Sequence, residues 1–425
     1  MRRLIVLLSL LSTPASWAHR GHCQNPLLAV PVETSLRFLT DILPADPSVF
    51  GDRWAVENLE FRKWLKQKKI VWKNLATAEK YGAMGRFFSE ALGPYVTTDF
   101  EAARAEQLAQ ELRHRGAPIK NLKNGYDILE NLSRANVERL WARFAAKVAD
   151  SSPLDPKTEE AIEQTLQNLS FALIHNTTEL DRRPSLSLLS ARELVKLGIT
   201  HILNTKPFNS EILKTDGNVF FFVIPYSRKG NFPVVKSKYG RASLILSESF
   251  ADQWGWVSPY VMNPPDLVEV AERGFPEALA NFPQEGKLEK LTSTQWRPLV
   301  RSLSQMDFKL SDFRNLMIVT LRRSLRHLAR SNRTEFEKVL LDLTKGDNLF
   351  EILEQYSLGQ VGFSMKHGFR SLELKVPMAV PPEKLDFRMD SWNEDYPGMG
   401  NRRSLPIPKG PMLDRIFSGQ WPRDP

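Results

Sequence analysis

Three regions between residues 198 and 377, the middle one made of two stretches, hold the residue types best suited to chemistry at close quarters. GITHILNTK, residues 198–206, places His201 near Asn204 and Thr205. KTDGNVFFFVIPYSRKG, residues 214–230, and KYGRASLILSESF, residues 238–250, combine Phe222, Tyr226 and Tyr239 with Arg228, Lys238 and Arg241. GFRSLELKVP, residues 368–377, carries Glu373 in an alternating run. An imidazole can hold hydroxyls or diphosphate oxygens, and guanidinium groups pair with phosphate. A carboxylate can stabilise positive charge growing on a sugar. Each residue also has a plainer role. His201 reads as a strand-edge histidine, residues 220–222 as core, and Glu373 with Lys375 as the solvated face of a half-buried sheet.

Other chemistries lack their motifs. The chain has no G-x-S-x-G, no Walker A loop, no G-x-G-x-x-G and no H-E-x-x-H. One cysteine rules out an intramolecular disulfide and the usual cysteine metal clusters. His19, His22 and Cys23 lie together, but a flexible terminus is a poor metal site. No metal is expected.

The elements that must position these residues follow from periodicity. Val137, Leu140, Trp141, Phe144 and Val148 recur at helical steps and predict a helix over 131–148. Asp155-Pro156 offers an N-cap and a first-turn proline, and Ile162, Leu166, Leu169 and Leu173 read as the following helical stripe. A short helix is expected over 190–197. Residues 56–197 thus predict a helical domain.

Past Gly198 the pattern changes to short strands at 199–203, 218–224 and 241–246. Helices return over about 285–356. The strongest spans 312–328, with Arg314, Arg322, Arg323, Arg326 and Arg330 on its polar side as a solvated face. Thr334 and Glu337 have capping-box spacing. In residues 369–376, Leu372, Leu374 and Val376 share one face, and Glu373 and Lys375 the other. Residues 385–425, rich in proline, glycine and arginine, read as a tail wrapping the body.

The order of the three chemical segments resembles the mono-ADP-ribosyltransferase fold, in its divergent bacterial toxin and effector branch, over residues 198–380. The resemblance implies an α+β protein: a helical domain, then a mixed domain over 198–384 with a split antiparallel sheet and a helical insertion. It implies NAD as the cofactor, His201 and Glu373 as catalytic residues, and Asn204, Thr205, Phe222, Tyr226, Arg228, Tyr239 and Arg241 around the dinucleotide. Ser371 stands where arginine-modifying members carry a second acidic or amide residue.

The N-terminus points to export. Residues 1–18, MRRLIVLLSLLSTPASWA, show a positive start, a short apolar run and a small-residue cleavage site after Ala18. Residues 19–55 form an extension of mixed character. The formal net charge of +9 falls to +7 once Arg2 and Arg3 are removed. The basic balance suits an anionic surface or a protein target without indicating nucleic acid. No later apolar run is long enough for a membrane span. A periplasmic or secreted transferase, acting on a macromolecule after delivery into another cell, is the leading expectation. The alternatives are a non-catalytic exported binding or envelope-associated structural protein, and a hydrolase with a tight Ser/His/Asp or carboxylate pair.

Overall fold

The computed structural model describes residues 59–75, 83, 98–118, 124–149, 154–177, 189–196, 208–233, 242–280, 282–283, 288–365, 372–380, 384–391 and 403–405. The helices, in chain order, begin with α1 (Leu59–Gln67), α2 (Thr98–His114), α3 (Gly125–Ala145), α4 (Pro156–Gln167) and α5 (Ala191–Lys196). They continue with α6 (Glu248–Trp254), α7 (Pro264–Gly274), α8 (Ser293–Ser302), α9 (Leu310–Ser331), α10 (Arg333–Lys345) and α11 (Leu349–Tyr356). The strands are β1 (Leu169–Thr177), β2 (Asn218–Ser227), β3 (Ala242–Leu246), β4 (Trp256–Pro259), β5 (Leu372–Pro377), β6 (Leu385–Ser391) and β7 (Arg403–Leu405). All seven join one open sheet in the order β4-β5-β2-β1-β3-β6-β7, and every neighbouring pair is antiparallel. The architecture is α+β: a mostly helical region with an antiparallel, unclosed sheet.

The strands expected at 218–224, 241–246 and 369–376 are present as β2, β3 and β5. The helix expected to run on through Leu173 stops at Gln167, and Leu169–Thr177 is the central strand. Leu169, Phe171 and Leu173 enter the main core, while Ala172 and Ile174 pack on the opposite face. A run apolar on both faces satisfies the helical spacing and the strand spacing alike. Here β2 and β3, pairing on its two sides, decide for the strand.

Helix α9 follows its apolar stripe, with Phe313, Leu316, Leu321 and Leu325 buried. Its arginine side is not the solvated face that the sequence suggests. Arg322 makes two hydrogen bonds to Glu163, at 2.5 and 2.8 Å. Arg326 reaches Glu159 at 2.9 Å. Arg323 donates to the Val148 carbonyl at 2.7 Å and lies over the Trp141 ring. Helix α4 and the end of α3 dock on that side, so the guanidinium stems are covered while the heads find partners. At the next junction, Asn332 and not Thr334 caps α10, its side chain accepting from the Glu335 N–H at 3.1 Å.

One apolar core runs from Phe61 and Trp64 of α1 through β1, β2 and α9 to Val380 after β5. Helices α1, α3 and α4 therefore share that core with the sheet, while α2 packs in a second cluster against Trp256 of β4. No helix among the described residues is long and apolar enough to cross a membrane.

Candidate functional site

Of the expected site residues, His201, Asn204, Thr205, Tyr239 and Arg241 lie outside the described residues, as do residues 1–58 with the expected signal segment. Glu373, Phe222, Tyr226 and Arg228 are described. Glu373 and Phe222 are direct cross-strand partners on one face of the β5–β2 pair. Tyr226 lies four residues further along β2 and packs on Phe232 at 5.3 Å. Arg228 lies past the strand end and pairs with Glu248 at 3.3 Å. Six residues of strand separate Phe222 from Arg228, roughly 20 Å at the usual rise.

The sheet does carry a histidine, His175 on β1, which the helical reading of that segment hid. Ile174 opposes Phe222, and Phe222 opposes Glu373, so those three share a face. His175 points to the other face, where its ring meets Phe221. Its Nδ1 lies 2.6 Å from the Phe220 carbonyl, and burial holds its pKa below the usual value.

Around Glu373 the strands and α2 assemble a buried network of charges. The alternating pattern of β5 puts Glu373 and Lys375 on one face, as the sequence predicts, but that face is covered rather than solvated. Glu373 is 4% exposed and Lys375 3%. Helix α2 lies over them, bringing Glu111 and Arg115 inward through its i, i+4 spacing. Lys375 donates to the Ser258 hydroxyl of β4, and its ammonium lies 3.7 Å from Glu373. Arg115 grips Asp307 with both arms of its guanidinium, at 2.7 and 2.5 Å. The Trp256 ring carries both cations close to it, Lys375 at 4.8 Å and Arg115 at 4.9 Å from its centroid. Glu111 accepts from the Asn218 amide at 2.7 Å.

Burial sets the electrostatics. It pushes Glu373 up to about 7, against the pull of Lys375 and Arg115. It raises Glu111 to about 7, against its bond from Asn218. It lowers Lys375 to about 8, with Arg115 adding to the fall. Asp307 is raised in the same way, opposed by Arg115. Glu111, Lys375 and Asp307 each have a partner from another element, and Glu373 has Lys375 beside it on its own strand, which is how buried charges are tolerated.

Two chemistries are written in this arrangement. A lysine with a lowered pKa bonded to a serine hydroxyl is the pairing that activates a nucleophile. A carboxyl near pKa 7 suits general acid–base work. Both need access to substrate. Ser258 is fully buried and β4 is fixed at its outer edge by a bridge from Val257 to Phe308. The same groups tie α2, β4, β5 and the segment before α9 into one unit, and that is the role their geometry performs directly. Among the described residues no cluster of histidine, cysteine or carboxylate side chains fits a metal ion. No protein-family model matches the chain, and no curated protein matches it.

Proposed function

We propose that this protein is an exported binding protein, and that Glu373 serves its structure rather than the cleavage of NAD. What supports the reading is the enclosure of Glu373. Its carboxylate faces Lys375 beneath α2, and both side chains are almost wholly buried. A carboxylate that stabilises an oxocarbenium ion must touch the ribose. Here α2 would have to leave the sheet first, exposing Glu111, Arg115 and the apolar side of Leu108 and Leu112.

The test is nicotinamide release from NAD, followed by chromatography, for the wild type and Glu373→Gln. No release above the uncatalysed rate is expected from either protein. Release by the wild type that the variant loses would overturn the proposal and return the chain to the transferase reading.

A further inference from the structure

The network has an outer side. Where α2 ends, Arg115 turns inward to Asp307, while Arg113 and His114 beside it point out. They line a surface recess of about 380 Å³ together with Lys214, Arg297, Arg301 and Glu211. Four permanent cations thus meet at one concavity. None of Arg113, Lys214, Arg297 or Arg301 has a carboxylate partner among the described residues, whereas the arginines of α9 that face α4 are paired. Arg297 and Arg301 stand one helical turn apart on α8, where like charges repel. An unrelieved group of this kind costs stability in the free protein and gains it back when an anion enters.

The recess is also held in shape. Gly116 takes a φ of 91°, and a Cβ there would lie 1.9 Å from the Arg301 carbonyl, so α2 and α8 meet with no room between them. The Ser304 N–H donates to the Arg115 carbonyl at 3.2 Å across the same junction. His114 Nε2 lies 2.7 Å from the Ile212 carbonyl, securing the 208–213 turn that supplies Glu211. Lys214 follows it with a φ of 58°, a left-handed conformation that lysine seldom adopts.

We propose that this recess binds a small phosphate monoester carried on a hydroxyl-bearing body. Two arginines from α8 and one from α2 fit the oxygens of a phosphate dianion, with Lys214 as a further point charge. The volume exceeds what a bare phosphate fills and falls in the range of small-molecule pockets. Glu211 makes no ion pair with the four cations. A free carboxylate in a cationic recess accepts hydrogen bonds from hydroxyls and repels a chain of phosphates, so it selects against nucleic acid. The site deepens the binding-protein reading and rests on it.

Calorimetry on the full chain tests it, with ribose 5-phosphate, ribose, inorganic phosphate, a 20-nucleotide single strand, and phosphatidylcholine vesicles containing phosphatidic acid. Ribose 5-phosphate is expected to bind with 1:1 stoichiometry, at least about tenfold tighter than phosphate, while ribose gives no signal. Arg297→Ala and Arg301→Ala together should weaken it about 100-fold, a loss of about tenfold for each charge-assisted contact. Arg113→Ala with Lys214→Ala provides a second, independent loss, and melting temperatures no lower than the wild type's would show that all variants fold. Glu211→Gln should raise phosphate affinity, by removing a repelling charge, and erase the preference for ribose 5-phosphate. No 1:1 binding at about 10 mM, or affinity indifferent to both double variants, would overturn the site. Binding confined to the single strand or to the vesicles would overturn the ligand class. Failure here is distinguishable from failure of the binding reading, because nicotinamide release is read through Glu373→Gln and phosphate binding through the arginines.

Discussion

At the scale of single residues, the buried carboxyls make stability depend on pH in an unusual window. Glu111 and Glu373 have folded-state pKa values raised to about 7 from an ordinary 4.5. A raised pKa means that the folded state holds its proton more tightly than the unfolded chain. The contribution is complete below about 4.5 and is lost as pH climbs through about 7. Lys375, lowered to about 8, acts in the next window. Its charged form is disfavoured by folding, so stability recovers as pH rises from about 8 toward 10.5. Glu163, drawn below its ordinary value first by its bond to Arg322, has the opposite sign: its contribution is present above the unfolded pKa and lost in acid. The melting temperature is therefore expected to fall between pH 5 and 7 in the wild type. Glu373→Gln should flatten part of that slope while leaving the acid limb unchanged. A variant with the wild-type slope would show that Glu373 does not carry the proton.

At the scale of elements, caps and packing partners decide where helices stop. Helix α10 starts one residue after Asn332, whose side chain satisfies the Glu335 N–H. Asn332→Ala is expected to cost about 1 kcal/mol in urea denaturation, and Thr334→Ala no more than about 0.5 kcal/mol, because Thr334 already lies inside the helix. Equal effects would restore the capping box suggested by Thr334 and Glu337. That spacing was legible, yet Glu337 reaches back to Arg333 at 2.8 Å instead. The Asp155 cap with Pro156 at the first helical position was legible too, since both features act within one turn and need no distant partner.

At the scale of the whole molecule, a continuous core joins α1, α9 and the sheet. Tryptophan fluorescence and far-ultraviolet circular dichroism are expected to report one coincident urea transition. Two separated transitions would mean that the helices of residues 56–197 unfold apart from the sheet. The strongest coupling between the regions is the network under α2, where Arg115 from the helical half grips Asp307 from the other. Breaking one partner of such a pair typically costs about 3–5 kcal/mol.

Strands β2, β3 and β5 were determined by the sequence alone, because alternation, branched residues and flanking turn residues are local properties. So was the sharing of one β5 face by Glu373 and Lys375, which follows from the period of a strand. The apolar face of α9 was equally plain. Tertiary structure alone decided what covers each face. Period two says that Glu373 and Lys375 point the same way, but not that α2, 260 residues earlier, lies over them. Helical spacing says that the α9 arginines share a side, but not that Glu159 and Glu163 face them. Residues 169–173 fit both periods, and only pairing on two edges made them a strand. The recess beside α2 gathers cations from three separate segments, so no local pattern signalled it. Burial depends on contacts between distant segments, and it is burial that turns a surface carboxylate into a structural one.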